Sequence, residues 1–381
     1  MKETLRALWK RMQALVLAGA TLWAVWTTAG TDTVTGAADA LRQALPLQLL
    51  RWELGDFGEE DALSDATVLV LREAPMLLSA RSEVMALWEQ AEEEEQPMEQ
   101  LPTVPVRETA EDVRTTEDNG APAKTLLPSS AEGYTVLGQT YISNVTNYTL
   151  NISELQEIFE AELTPEDGPQ ILIIHTHGSE AYTPAEGAEV VWSGEYRTTD
   201  SRYNVVRVGD EMADVFSAAG IAVLHDRTLY DYPNYSDAYD RSLSAIRSYL
   251  AQYPSIRFVL DVHRDAVADS DGRQYKVVAE VGEERTAAQM TLVVGSDGGG
   301  LEHPKWKENL KLAVALQGEV LRDHPTLMRP MLLRNSRYNQ HATTGSLLLE
   351  AGAAGNSPEE AALAGRLFAE AMVEVLMTRS K

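Results

Sequence analysis

A chain of 381 residues with 44% hydrophobic content exceeds the usual single domain and is long enough to bury a sizeable core. Its formal net charge of -26 and isoelectric point near 4.6 exclude nucleic acid as a partner, because phosphate binding needs clustered Lys and Arg. The absence of cysteine excludes disulfides, thiolate zinc sites and a cysteine nucleophile, so any metal must be held by His, Asp or Glu.

The first segment, residues 1–31, predicts a short cytoplasmic tail and a transmembrane anchor. Its uncharged run over 12–31 has about the twenty residues that a bilayer span requires. Cations precede the run and none directly follows it, which predicts a single-pass protein of the cell membrane with the remaining chain outside the cytoplasm. A cleaved signal peptide is the alternative, because small residues at 35–38 suit a cleavage site.

Two segments separate this anchor from the main domain. Residues 32–90 mix Leu and Ala with charges at helical spacing, which predicts a small helical region without a recognisable catalytic pattern. Residues 91–133 contain several prolines, many acidic residues and almost no aromatic ones. This composition is typical of a disordered linker, since it offers too little apolar surface to offset chain entropy.

Residues 134–381 alternate strand and helix patterns. Strand patterns cover 134–152, 171–174, 221–224, 256–262, 275–281, 290–294 and 347–349. Helical patterns cover 154–162, 203–219, 240–253, 305–322 and a last segment that begins at Ser357 with a capping box. The alternation predicts an α/β domain with a mostly parallel or mixed sheet and helices on both faces.

The strand pattern over 171–174 is followed by three residues that bind metals. His175, His177 and Glu180 come within six residues of its end. If the strand persists, the two histidines point the same way, and a turn at Gly178 brings Glu180 back towards one of them. Imidazole and carboxylate together suit Zn²⁺. The alternative is that one histidine only hydrogen-bonds the backbone at the strand end.

Two further strand patterns end in similar chemistry. His263 follows 256–262, and Glu350 follows 347–349. Ligands of open α/β sheets bind at the carboxyl ends of strands, so these side chains are expected to converge on the first group. Two His and one carboxylate with an open fourth position form a catalytic zinc site, and Glu350 is the candidate to move the proton of the attacking water.

Each of these residues has a structural alternative. His263 can simply pair with Asp261 or Asp265, and Glu350 can cap a helix or bind an arginine. His225 is a reserve ligand at another strand end. A polar run just before the last strand consists of Asn339, Gln340 and His341. It either lines a substrate groove or is only a surface loop.

Several motifs, in order over residues 170–377, resemble the stage II sporulation protein P family. They are I-I-H-T-H-G-S-E-A-Y-T-P, N-V-V-R-V-G-D-E, Y-D-Y-P-N-Y-S-D-A-Y-D-R-S, V-L-D-V-H-R-D-A, Y-N-Q-H and L-L-L-E-A-G-A-A-G-N-S-P-E-E-A. The resemblance implies a membrane-anchored peptidoglycan amidase related to zinc-dependent N-acetylmuramoyl-L-alanine amidases, with endopeptidase activity on crosslinks as a second possibility. It also implies septal wall remodelling during engulfment, together with stage II sporulation proteins D and M.

The same resemblance implies roles for individual residues. His177 and His263 match zinc-binding histidines, and Glu350 matches the catalytic glutamate. The third ligand departs from the broader amidase pattern, which has a glutamate where this chain has Asn204, with Asp200 nearby. Glu180 is therefore the expected third ligand, with His175 in reserve.

The sequence thus predicts a zinc amidase that cuts the bond between N-acetylmuramic acid and the L-alanine of the stem peptide. Two alternatives stay open. One is a non-catalytic cell-wall-binding scaffold that keeps the fold. The other is an amidohydrolase-type (β/α)₈ barrel, which an H-x-H pair after a strand suggests, although residues 170–381 are shorter than the roughly 250 residues typical of that fold.

Overall fold

The computed structural model describes residues 106–109, 119–157, 159, 163–164, 167–282 and 285–379, which form two β-sheets and five α-helices. The strands are β1 (Val106–Thr109), β2 (Ala123–Pro128), β3 (Tyr134–Leu137), β4 (Thr140–Asn144), β5 (Ile171–Ile174), β6 (Val223–His225), β7 (Phe258–Asp265), β8 (Lys276–Glu280), β9 (Thr286–Ala288), β10 (Met290–Val294), β11 (Met331–Leu333) and β12 (Gly345–Ala353). The helices are α1 (Ile152–Leu155), α2 (Val206–Ala218), α3 (Ala238–Gln252), α4 (Trp306–Asp323) and α5 (Pro358–Arg379), and a 3₁₀ turn covers Gln340–Ala342.

The larger sheet has eight strands in the order β3-β4-β11-β10-β12-β7-β5-β6. Neighbouring strands are parallel except for the pairs β3/β4 and β10/β12, which are antiparallel. The predicted α/β class is confirmed, and the sheet is of the mixed kind. It is open, with β3 and β6 at its edges, so this part of the chain is not the closed barrel of the amidohydrolase alternative.

Helices cover both faces of this sheet, and β5 shows how. Ile171 and Ile173 lie in the larger core, and Leu172 and Ile174 lie in the smaller core with Ile246 of α3. All four β5 residues are fully buried, which contributes about 2 kcal/mol for each side chain. The larger core takes residues from α2, α4 and α5, for example Met212, Leu316 and Phe368. Helix α3 therefore covers the opposite face from the other three.

Two strands lie in the segment whose composition predicted a linker. β2 pairs with β1 and with β8, and β9 completes this smaller sheet. The Gln289 side chain holds β2, because its Oε1 accepts from Leu126 N at 2.7 Å and its Nε2 donates to Leu126 O at 3.2 Å. This contact joins residues 163 positions apart, so the local composition of the segment did not predict the strand.

The predicted anchor (1–31) and helical region (32–90) lie outside the described residues. Across the part of the chain that is described, no helix has the length and apolar character needed to cross a membrane.

Helix α5 begins with the capping box that the sequence predicted. Ser357 N donates to Glu360 Oε2 at 3.0 Å, and Glu360 N donates to Ser357 Oγ at 3.1 Å. The Glu360 carboxylate also forms a buried ion pair with Lys276 Nζ at 3.1 Å. This pair ties the smaller sheet to α5, and α5 packs beside the strands that carry the candidate site.

Candidate active site

The turn after β5 sends its two histidines in different directions. β5 ends at Ile174 and a turn covers residues 176–179, so the strand alternation stops before His177. Gly178 lets this turn pack closely on the neighbouring loop, since a Cβ there would lie 2.8 Å from Leu229 Cδ2 and 3.3 Å from Leu229 Cα. The expectation that His175 and His177 share a face depended on a longer strand than the one that forms.

His175 belongs to a second histidine pair beside α2. Its Nδ1 lies 2.9 Å from Val262 O, and its Nε2 lies 2.8 Å from His225 Nε2. His225 Nδ1 lies 3.1 Å from Asp210 Oδ1 of α2. Burial lowers the pKa of His175 to about 3. The two reserve ligands therefore bind each other, and both ring nitrogens of His175 have partners.

Gly209 of α2 leaves the space that this histidine pair occupies. A Cβ at Gly209 would lie 2.5 Å from His225 Nε2 and 2.7 Å from His175 Nε2. We expect Gly209→Ala to lower the free energy of unfolding by about 1–3 kcal/mol through overpacking, despite the better helix propensity of alanine. The matched control is Gly318→Ala in α4, where a Cβ meets nothing within 4 Å, and which should raise stability by up to about 1 kcal/mol. Denaturant unfolding of both variants checks the prediction, and equal stability gains would contradict the observed packing.

His177 lies on the α3 side of the sheet, between two tyrosines. Its ring stacks on Tyr235 with centroids 4.5 Å apart and packs edge-on against Tyr239 at 5.4 Å. Its Nε2 lies 3.3 Å from Tyr235 Oη, whereas its buried Nδ1 has no hydrogen-bond partner among the residues that the structure describes. Burial lowers the pKa of His177 to about 3. The imidazole is therefore neutral at pH 7, which is the form that binds metals.

His263 of β7 faces His177, with ring centroids 5.4 Å apart. Its Nε2 lies 2.9 Å from Asp261 Oδ1 in an ion-pair contact without hydrogen-bond geometry, and its Nδ1 lies 3.6 Å from Glu180 Oε2. Burial alone would lower the pKa of His263, but the carboxylates of Asp261 and Glu180 outweigh it and raise the pKa well above its usual value, so this imidazole must release a proton when a metal binds. Asp261 is itself held by Thr176, whose Oγ1 donates to it at 2.6 Å. A fixed carboxylate behind one ring nitrogen orients the other nitrogen for a ligand.

Glu180 brings its carboxylate into the same group. Oε2 accepts a hydrogen bond from the backbone N of Arg264 at 3.1 Å, and Oε1 lies 3.8 Å from Arg197 Nη2. Burial would raise the pKa of Glu180, but the neighbouring His263 imidazole and the charge of Arg264 lower it below its usual range. Glu180 is therefore ionised at neutral pH, as a metal-binding carboxylate must be.

Glu350 stands beside His263 on the neighbouring strand. The two residues are register partners in the parallel pair β12/β7, so their side chains lie on the same face of the sheet. Glu350 is only 4% exposed, and within the described part of the chain its Oε2 has no hydrogen-bond partner. Burial raises the pKa of Glu350 to about 8. A carboxyl group that titrates near neutral pH is suited to accept and return a proton.

These side chains fit zinc by donor type and by burial. His177 Nδ1 is buried without a partner, and His263 Nδ1 and Glu180 Oε2 approach each other. Imidazole nitrogen and carboxylate oxygen are the protein donors of catalytic zinc sites. Among the residues that the structure describes, no three His, Asp or Glu side chains are arranged as a formed metal site. The residues therefore suit zinc by the kind of donor atom that they supply, and not by a coordination geometry that is already formed.

Asp200, a further candidate for the third ligand, and Asn204, which stands where related amidases have a glutamate, have different partners. Asp200 Oδ1 and Oδ2 accept hydrogen bonds from the Arg202 side chain near the surface. Asn204 donates to Thr198 O at 3.0 Å and accepts from Val206 N at 3.1 Å, which satisfies a backbone donor at the start of α2. Glu180 is thus the carboxylate that lies with the two histidines.

The polar run before β12, residues 339–341, mainly holds neighbouring elements together. Asn339 donates to Tyr239 O at 2.8 Å, and Gln340 donates to Val293 O at 2.7 Å. These bonds fasten the 3₁₀ turn to α3 and β10. His341 is half-buried, and none of the described residues forms a hydrogen bond with its Nδ1.

Several residues around the site had no assigned role in the sequence analysis. Tyr235 and Tyr239 enclose His177, Asp231 holds Ser179 and Arg197, and Arg329 pairs with Asp265. Asp231, Tyr235 and Tyr239 belong to the quoted motif Y-D-Y-P-N-Y-S-D-A-Y-D-R-S. Arg329 lies in no motif, so only the fold brings it to this edge of the sheet.

Comparison with protein families finds a match that covers most of the chain. The family model described as Stage II sporulation protein P (SpoIIP) matches residues 64–373. The stage II sporulation protein P of Bacillus subtilis (strain 168) is 27% identical over 229 residues. That alignment covers 57% of this chain and 54% of the relative, so the match spans about half the length of the curated relative.

Solved structures with some likeness include two N-acetylmuramoyl-L-alanine amidases. The amidase from Clostridium difficile 630 is 14% identical, with a TM-score of 0.33, over 56% of this chain and 96% of that chain. The amidase Ami1 from Mycobacterium smegmatis is 11% identical, with a TM-score of 0.34, over 55% of this chain and 98% of that chain. At these TM-scores, the chemical argument depends on the side chains described above and not on the likeness.

Proposed function

Because this chain belongs to the stage II sporulation protein P family, whose model matches residues 64–373, we propose that it is a zinc-dependent N-acetylmuramoyl-L-alanine amidase. In this proposal its substrate is peptidoglycan, and it hydrolyses the amide that joins the glycan to the stem peptide. Hydrolysis of peptide crosslinks by the same site is a second activity within this proposal. It belongs to the same reaction class, since both bonds are amides.

One observation carries the proposal. Glu350 and His263 are side by side on neighbouring strands, and His177 and Glu180 lie against His263. Residues from three separate parts of the sequence thus bring two imidazoles and two carboxylates to one buried place. A scaffold that only binds the cell wall has no need to bury these groups together, since unpaired buried polar atoms cost about 1–3 kcal/mol each.

His177, His263 and Glu180 are the residues that would hold zinc. The chemistry that zinc supplies when bound is Lewis acidity, which activates a water molecule and polarises an amide carbonyl. Asp261 keeps the His263 ring in one orientation, and Tyr235 does the same for His177.

Glu350 moves the proton. In its ionised form, Glu350 accepts a proton from the attacking water at Oε2, which has no hydrogen-bond partner among the described residues, and the same oxygen returns the proton to the nitrogen of the leaving stem peptide. The buried surroundings of Glu350 exclude bulk water, which keeps that proton within the site.

The remaining predictions place this reaction in the cell. The amidase domain acts outside the cytoplasm in septal wall remodelling during engulfment, held to the cell membrane by the anchor predicted over residues 1–31. Stage II sporulation proteins D and M are the expected partners. Peptidoglycan is compatible with the acidic chain, because stem peptides carry charges of both signs and binding is local.

Metal removal tests the proposal. The full chain loaded with zinc should release stem peptides from purified peptidoglycan, a chelator should lower the rate at least about 100-fold, and added zinc should restore it. Thermal unfolding before and after chelation controls for loss of the fold. A chain that binds peptidoglycan but releases no peptide with or without zinc would support the scaffold alternative instead.

A further inference from the structure

Three buried side chains lie around β12 and its two neighbours, β7 and β10. Each has at least one polar atom that lacks a hydrogen-bond partner in the described part of the chain. These atoms are Nε and Nη2 of Arg329, Oγ1 of Thr291 and Oε2 of Glu350. Each of the three residues is 5% exposed or less. Buried polar groups in folded proteins are almost always paired. The concentration of exceptions beside the proposed proton carrier points to a bound group that supplies the missing partners.

The three side chains lie on one face of the sheet. Thr291 is the antiparallel register partner of Glu350, so the two side chains are neighbours on the same face. Glu350 is the parallel register partner of His263. Asp265 follows His263 by two residues in β7 and therefore lies on this face as well.

Arg329 reaches this face from a position two residues before β11. Its backbone N donates to Met290 O at 2.8 Å, which sets it beside Thr291 on β10. Its side chain extends towards β7, where Nη1 donates to Asp265 Oδ2 at 2.8 Å. Its positive charge acts on Glu350 and opposes the effect of burial on the pKa of that group.

The hydrogen-bonding chemistry of Arg329 indicates what binds there. Asp265 uses only Nη1, so the edge formed by Nε and Nη2 remains. Two parallel N–H groups on one guanidinium edge match the two oxygens of a carboxylate. The Thr291 hydroxyl is a further donor for the same group.

We infer that Arg329 is a specificity-determining residue that binds a carboxylate of the stem peptide, with Thr291 as a second donor. This inference rests on the proposed amidase function. Arg329 thereby selects substrates that have a free carboxylate near the amide to be cut. The competing role is that of a positioning residue, in which Arg329 acts only through the Glu350 carboxylate.

Two muropeptides separate these roles: one with a free stem-peptide carboxylate nearest the cleaved amide, the other with that group as a carboxamide. For the zinc-loaded full chain, kcat/KM should favour the carboxylate by about 10- to 100-fold, as expected for a charge-assisted pair. Arg329→Lys keeps a cation for Asp265 but loses the planar fork, so the preference should fall to within about threefold of unity. Arg322→Lys, on the exposed face of α4, is the matched control and should keep the preference of the parent.

Thr291→Val is the second variant, because it removes a buried hydroxyl without a partner and should fold normally. It should lower the carboxylate preference by about 3- to 10-fold. A parent without preference, or an Arg329→Lys variant that slows both substrates equally, would overturn the inference. If the parent cuts neither substrate, the proposed function fails. The binding of the two muropeptides is then measured by calorimetry, and equal affinities overturn the inference.

Discussion

Replacing Glu350 with glutamine is expected to lower the rate of stem-peptide release by about 10²- to 10⁴-fold while zinc content stays near that of the parent. Glutamine has almost the same shape but neither accepts nor returns a proton at neutral pH. Glu350 is buried, one of its oxygens has no partner among the described residues, and burial raises its pKa to about 8, so a neutral amide should be tolerated in its place. Zinc analysis, thermal unfolding and peptide release are measured on the same preparation.

The matched control for this variant is Glu370→Gln on the exposed side of α5. It removes one carboxylate from a surface helix and should leave release, zinc content and stability within error of the parent. If Glu350→Gln and Glu370→Gln release peptides equally fast, Glu350 is not the proton carrier and the scaffold alternative gains support.

Replacing His263 with alanine should remove the metal together with the activity. Zinc content should fall from about one per chain towards zero, because two donors remain where a catalytic site needs three. The variant also leaves Asp261, which is only 4% exposed, without its imidazole partner, so the free energy of unfolding should fall by about 3–5 kcal/mol. Elemental analysis after dialysis and denaturant unfolding measure the two effects.

His324→Ala is the control for His263→Ala, since His324 lies in the loop after α4 and outside the proposed ligand group. This variant should retain zinc and activity. A His263→Ala chain that keeps a full equivalent of zinc after dialysis would show that His263 is not a ligand, whatever happens to its stability.

Much of the fold follows from local patterns. Strand β10 occupies the predicted residues, and the capping box of Ser357 and Glu360 starts α5 as expected. These features depend on residues close in sequence, such as an uninterrupted apolar run or a reciprocal pair three residues apart. Strand β2 depends instead on the distant side chain of Gln289, and no local pattern encodes that contact.

The orientation of β12 is a second feature that patterns do not encode. It runs antiparallel to β10 and parallel to β7, although both neighbours read as similar apolar strands. Strand direction depends on how the connections pass over the sheet, which composition does not specify. This orientation brings Thr291 and Arg329 to the same edge as Glu350, so their part in the site could not be predicted.

The candidate site likewise has features that the sequence predicts and features that it does not. The convergence of His177, His263 and Glu350 could be predicted, because carboxyl ends of strands meet at one edge of an α/β sheet. The separation of His175 from His177 could not, since it depends on β5 ending one residue before His175. A difference of one or two residues in strand length decides which face a side chain joins.

The identity of the bond that is cut tests the central claim most directly. Purified peptidoglycan is digested with the zinc-loaded full chain, and the soluble products are identified by mass spectrometry and amino-terminal analysis. The proposal predicts stem peptides with a new amino-terminal alanine and glycan strands that have lost their peptides. Products that all keep the bond between muramic acid and alanine, or no soluble product from a chain that carries zinc, would contradict it.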